Sequence, residues 1–151
     1  MRVPMRGLDQ RDETGSTLLL TIFYGMLSLV LILVAVAATS LYLERKRLFT
    51  VADGAALVGA EAFDLDRVAR DDAGLLRPRL ETSEVQRAVH TYFDGNPVTA
   101  FDGLTLERAE SVDGRSATVA LSAQWRPPLV SLLVPQGIRI DVEAVARSVF
   151  W

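Results

Sequence analysis

Cysteine is absent from the 151 residues. That excludes a disulfide-stapled scaffold, a cysteine-ligated zinc site and a cysteine nucleophile. Histidine occurs once, as His90, which excludes a multi-histidine metal centre and a phosphorelay pair. Positive charge is not in excess: the formal net charge is −3, so no nucleic-acid partner is expected. The chain also lacks a Gly-rich phosphate loop, a G-x-S-x-G elbow and an H-E-x-x-H helix. Serine, aspartate and one histidine are present, but their presence alone defines no triad. The expectation is a protein that is not an enzyme, with no catalytic residue, cofactor, metal or small-molecule substrate.

One further absence is local. From Ser16 to Leu43, 28 residues pass without Asp, Glu, Lys, Arg or His. This run explains a mean hydropathy of +0.24 in a chain that is 23% charged. As a helix it extends roughly 42 Å, against a hydrocarbon core of about 30 Å. Its densest part is Leu18 to Ala38, which shows almost no polar face, unlike a buried globular helix. A secretory signal has an apolar core of only about 7–15 residues. Small-residue cleavage sites do exist at Ala35-Val36-Ala37 and Ala38-Thr39-Ser40. The length favours a membrane anchor over 16–43, preceded by a short leader over 1–15 and followed by a working domain over 44–151. Basic residues are balanced around the span, with Arg2, Arg6 and Arg11 before it and Arg45, Lys46 and Arg47 after it. Charge alone therefore assigns no orientation.

Beyond the span the chain stays rich in alanine and leucine, without proline until Pro78. Leu41, Leu48, Ala52, Ala55, Gly59 and Ala62 form one helical stripe, with Lys46, Thr50, Asp53 and Glu61 on a more polar side. This predicts one helix from about Ser16 to about Phe63. Leu48, Ala52, Ala55, Ala56, Gly59 and Ala60 make a helix-packing interface, against either the domain's own sheet or neighbouring subunits. The segment Asp64 to Arg79 reads as a charged loop with at most one helical turn. Its Asp64, Asp66, Asp71 and Asp72 lack calcium-loop spacing and alternate with arginines, as a solvated face does.

Ser83-Glu84-Val85-Gln86 fits a capping box opening a second helix. Val85, Ala88, Val89, Tyr92 and Phe93 form its apolar stripe, and Gly95-Asn96-Pro97 stops it. His90 lies off that stripe, on the surface. Three strands follow. The first spans about Leu104–Val112; the second is Ser116–Trp125, with Ala117, Val119, Leu121, Ala123 and Trp125 on one face. The third carries Ile138, Ile140, Val142, Ala144 and Ala146 on one face, with Arg139, Asp141, Glu143 and Arg147 alternating. Asp113-Gly114 marks a hairpin between the first two. Leu129–Val134, between the last two, is an apolar segment of open role: a short helix, an edge segment or an exposed patch. The fold class is α+β: a long N-terminal helix, a second helix and a small antiparallel sheet.

Asp12-Glu13-Thr14-Gly15-Ser16 before the span and Val51-Ala52-Asp53-Gly54-Ala55-Ala56-Leu57-Val58-Gly59-Ala60 after it carry a resemblance. So do Ala88 to Asn96 and the closing Ala144-Val145-Ala146-Arg147. Together they resemble bacterial type IV pilin-like proteins, and within them the TadE/TadG-like proteins of tight-adherence (Flp) pilus systems. The resemblance implies a structural role as a minor pilin or pilus-assembly protein. It implies partners among pilin-like subunits or assembly-platform proteins, and a single-pass place in the bacterial cytoplasmic membrane or a surface pilus. It also implies a cytoplasmic amino terminus, an outer domain and a processing site between Gly15 and Ser16. The chain departs from the pilin pattern in one respect. The fifth residue counted from Ser16 is Leu20, where pilins carry glutamate, and no acidic residue lies in the span. That departure favours a permanent anchor or minor component over a major pilin. The alternative class is a single-pass envelope binding module whose sheet or Leu129–Val134 segment holds a ligand or partner.

Overall fold

The computed structural model of the chain describes residues 13–62, 69–70, 76–77, 79–96, 98, 100–127 and 135–147. Helix α1 is Glu13–Ala60, 48 residues without an interior proline. Alanine and leucine dominate it and lose little on entering a helix. Three of its hydroxyls are satisfied within the helix: Thr21, Thr39 and Thr50 Oγ1 donate to the carbonyls of Thr17, Ala35 and Lys46 at 2.8, 2.9 and 3.0 Å. A polar side chain folded back in this way costs little in an apolar setting. The helix closes with the Glu61 N–H donating to Leu57 O and the Ala62 N–H to Gly59 O, so the last turn tightens. The end comes three residues short of the expected Phe63.

The chain divides into two compact units, residues 1–39 and 40–151. In the first, the side chains of Thr17 to Val36 are exposed on every side of the helix. Among the described residues this is the one helix long and apolar enough to cross a membrane. In the second unit, α1 acquires a buried side.

Short strands β1 (Ala69–Arg70) and β2 (Leu76–Arg77) pair antiparallel, Ala69 opposite Arg77 and Arg70 opposite Leu76. This corrects the loop reading of Asp64–Arg79 for the described part of that segment. A two-residue ladder carries no alternation that a pattern could reveal. Helix α2 is Thr82–Gly95. It begins one residue before the expected Ser83, with Glu81 at the cap position and no side-chain cap hydrogen bond, so the capping box does not form. The competing bonds are tertiary: Thr82 Oγ1 donates to Ser111 O and accepts from the Ser111 N–H, both at 3.2 Å. The stop signal holds, with the Asn96 N–H and Nδ2 both donating to Tyr92 O at 2.9 and 3.0 Å.

Strands β3 (Asp102–Glu110), β4 (Ser116–Trp125) and β5 (Ile138–Arg147) form an antiparallel sheet in the order β3-β4-β5. The β4–β5 register is unbroken from Ser116 opposite Arg147 to Trp125 opposite Ile138. The β3–β4 register slips twice, between Asp102 and Thr105 and between Leu106 and Arg108, each slip adding a residue to β3. Those bulges explain why β3 lies two residues before its expected span: they break the alternation that marks a strand. Gly103 adopts φ +60 within the first slip, a backbone state that disfavours a side chain. The inward side chains of β4 are all buried, together with Ile140, Val142, Ala144 and Ala146 of β5. The end of α1 and α2 cover that face: the Gly59 Cα lies where an added Cβ would meet Val85 and Val89 of α2 and Ala117 of β4. A sheet covered on one side alone should alternate apolar and polar, and β4 and β5 do.

Candidate helix interface

The small residues on α1 lie at one buried place. Leu48, Ala52, Ala55 and Ala56 are fully buried and Ala60 nearly so. Gly59 is buried as well, with the Val85 Cγ1 at 3.1 Å and the Ala117 Cβ at 3.2 Å from the position of a Cβ. At Gly59 the absence of a side chain lets the helix backbone approach both α2 and β4. Gly54, one turn earlier and half-buried, faces the Tyr92 hydroxyl at 3.1 Å from a Cβ position. Beside the stripe this part of α1 stays open, with Tyr42, Phe49 and Leu57 exposed. Gly15 and Ser16 fall in the first turn of α1. His90 is exposed on α2, off the buried Val85 and Val89 side. The apolar Leu129–Val134 segment and the aspartates Asp64, Asp66, Asp71 and Asp72 lie outside the described residues.

The outward face of the sheet carries a charged network that sequence reasoning missed. Ser122 Oγ donates to Glu107 Oε1 at 2.6 Å, and Arg139 Nη2 donates to the same oxygen at 2.9 Å. Arg139 Nε reaches Asp141 Oδ1 at 2.9 Å. The hydrogen bond and charge of Asp141, reinforced by the charge of Glu107, push the Arg139 guanidinium above its ordinary value. Arg108 stands between Glu110 at 3.6 Å and Glu143 at 3.7 Å. The bulge next to Glu107 is what turns this carboxylate toward Ser122 and Arg139. The pairing of Arg139 with Asp141 two residues on was legible in the strand's period. The role of Glu107 was not, because a bulge leaves no periodic mark. Arg108 and Arg139 thus each have carboxylates beside them. Exposed pairs of this kind contribute about 0–1 kcal/mol each.

The β3–β4 hairpin is closed by one side chain. Asp113 Oδ1 accepts from the Arg115 and Ser116 N–H groups at 2.8 and 2.7 Å, and Oδ2 accepts from Ser116 Oγ at 2.7 Å. Gly114 beside it has φ +66. The Ser116 hydroxyl, then the Ser116 and Arg115 N–H groups, lower the Asp113 carboxyl to about 2, with Arg147 at 3.9 Å adding a little. These contacts shape the turn.

Residues 15–62 match the family model of Flp pilus-assembly TadE/G-like proteins. The match covers the apolar helix together with the buried small-residue stripe. No curated protein and no solved structure matches the chain.

Proposed function

We propose that the chain is a membrane-anchored structural component of a Tad (tight-adherence, Flp) pilus, a minor pilin or pilus-assembly protein. One observation carries this reading. The TadE/G-like match over residues 15–62 coincides with a helix exposed all round up to Val36 and buried along one stripe from Leu48. Such a helix suits lipid over its first part, where every side is apolar. It suits a protein partner over its second part, where one side is small and apolar. In this reading Leu48, Ala52, Ala55, Ala56, Gly59 and Ala60 seat α1 on its own α2 and sheet. The open side with Tyr42, Phe49 and Leu57 then remains for pilin-like subunits or platform proteins. The amino terminus lies in the cytoplasm and the domain from about Glu44 outside, in keeping with the pilin-like resemblance. The leader stays attached at Gly15-Ser16, because Leu20 stands where the pilin glutamate would be.

Topology gives the direct test. The chain has no cysteine, so an Arg115→Cys variant carries a unique label on the β3–β4 hairpin. The expected result is labelling of intact cells by an impermeant maleimide; labelling only after lysis contradicts the outer location. Deleting the gene should reduce sheared surface filaments, and normal filament yield would favour the binding-module alternative. A mature chain beginning at Ser16 would overturn the permanent-anchor reading.

A further inference from the structure

We propose that the α1 turn holding Tyr42, Arg45, Lys46 and Arg47 forms a cationic collar that binds the headgroups of anionic phospholipid. The inference rests on the membrane anchoring proposed above.

Four charged residues in succession, Glu44-Arg45-Lys46-Arg47, end the charge-free run. At the same turn the burial of α1 changes. Ser40, Leu41 and Glu44 are half-buried and Leu48 is fully buried, whereas Tyr42 and Leu43 remain exposed. Protein therefore begins to replace lipid on one side of the helix there. Arg45, Lys46 and Arg47 are all exposed. At 3.6 residues per turn, three successive residues sweep about 200° of the helix surface. The cations thus occupy much of the side that protein leaves uncovered. Arg47 has Glu44 at 3.8 Å, while Arg45 and Lys46 have no ion pair among the described residues.

Such a turn cannot enter hydrocarbon, because charges there are expelled or snorkel to the surface. It can rest at the phosphate level, where guanidinium groups bind phosphate oxygens in pairs and a tyrosine ring suits the apolar–polar boundary. The segment 44–47 carries three cations and one anion, although the region from Glu44 onward is acidic as a whole. Screening within about 8–10 Å lets the local cations act on the lipid while the more distant carboxylates do not.

The test uses the full chain in phosphatidylcholine vesicles containing a minor fraction of phosphatidylglycerol. A spin label at Leu33→Cys reports insertion: it should be accessible to oxygen and shielded from a water-soluble nickel chelate. A water-exposed label would overturn the anchoring itself, and the collar with it. Given an inserted helix, spin-labelled lipids report the boundary layer. The parent chain should prefer phosphatidylglycerol over phosphatidylcholine by about threefold or more. Arg45→Gln/Lys46→Gln, which keeps the Arg47–Glu44 pair, should lose that preference while retaining the Leu33 label depth and the thermal midpoint. Absence of preference in the parent, or equal preference in the variant, overturns the collar. Inorganic phosphate should weaken the preference no more than chloride at equal ionic strength. A specific loss with phosphate would reassign the turn to a soluble anion and overturn the lipid reading.

Discussion

At the residue scale, two glycines on one helix have opposite expected responses to alanine. An alanine at 59 would press on two valines and on the Ala117 Cβ, which is fixed to the backbone of the central strand. Crowding of about 1–3 kcal/mol then exceeds the helix-propensity gain of about 1 kcal/mol. Gly59→Ala should lower the thermal midpoint of the detergent-solubilised chain. Gly54 faces only the Tyr92 ring tip, a half-buried group that can shift. Gly54→Ala should therefore be neutral or stabilise by up to about 1 kcal/mol in the same assay. Asp113 makes a pH prediction. Its folded-state value of about 2 lies below the ordinary 3.8, so its contribution is present above pH 3.8 and is lost as pH falls through about 2. Asp113→Asn should melt below the parent at pH 7, and the gap should close near pH 2. A gap independent of pH would assign the loss to something other than the carboxylate's charge.

At the scale of elements, α1 is legible as one long helix. Its composition and missing charges predicted a helix over 16–63, against the observed Glu13–Ala60. Two sides of its C-terminal part differ in what should destabilise them. Leu48 is fully buried, so Leu48→Ala should cost about 2–5 kcal/mol in denaturant titration. Leu57, nine residues later, is 50% exposed, and Leu57→Ala should stay within about 0.5 kcal/mol. Strand β4 was read to the residue, because its alternation is intact and both neighbours cover it. Strand β3 was misplaced by two residues because its bulges erase the period. The α2 capping box failed for a different reason. Ser83 and Gln86 suit a cap locally, but the Thr82–Ser111 exchange sets the helix start from a residue 29 positions away. Distant hydrogen bonds of this kind are invisible to local pattern.

At the scale of the molecule, the proposed anchoring rests on apolar surface left exposed among the described residues. Leu18 is 64% exposed and Met26 68% exposed, and the large apolar side chains from Leu18 to Val36 are all at least 39% exposed. Contiguous apolar surface of this extent marks an interaction site on a water-soluble protein, and here lipid is the proposed cover. Leu33→Arg places a charge near the middle of the run, at a cost of about 2.5–3.5 kcal/mol in a bilayer. The variant should shift from the carbonate-resistant membrane pellet toward the soluble or degraded fraction. Full retention in the pellet would count against a lipid-embedded run.

What the sequence determined by itself was whatever depends on neighbours along the chain. The charge-free run, the long helix, the α2 stripe and the β4 and β5 alternations all arise from local period and composition, and so does the TadE/TadG-like resemblance. The tertiary structure decided which small residues meet. It seated Gly59 among Val85, Val89 and Ala117, began α2 at Thr82, and turned Glu107 onto Ser122 and Arg139 through a bulge. Each of those depends on the shape and hydrogen-bonding groups of elements far apart in sequence. Gly59 on α1 shows the division most clearly: its place on the stripe follows from local spacing, and only the folded chain puts Val85 and Val89 of α2 and Ala117 of β4 beside it.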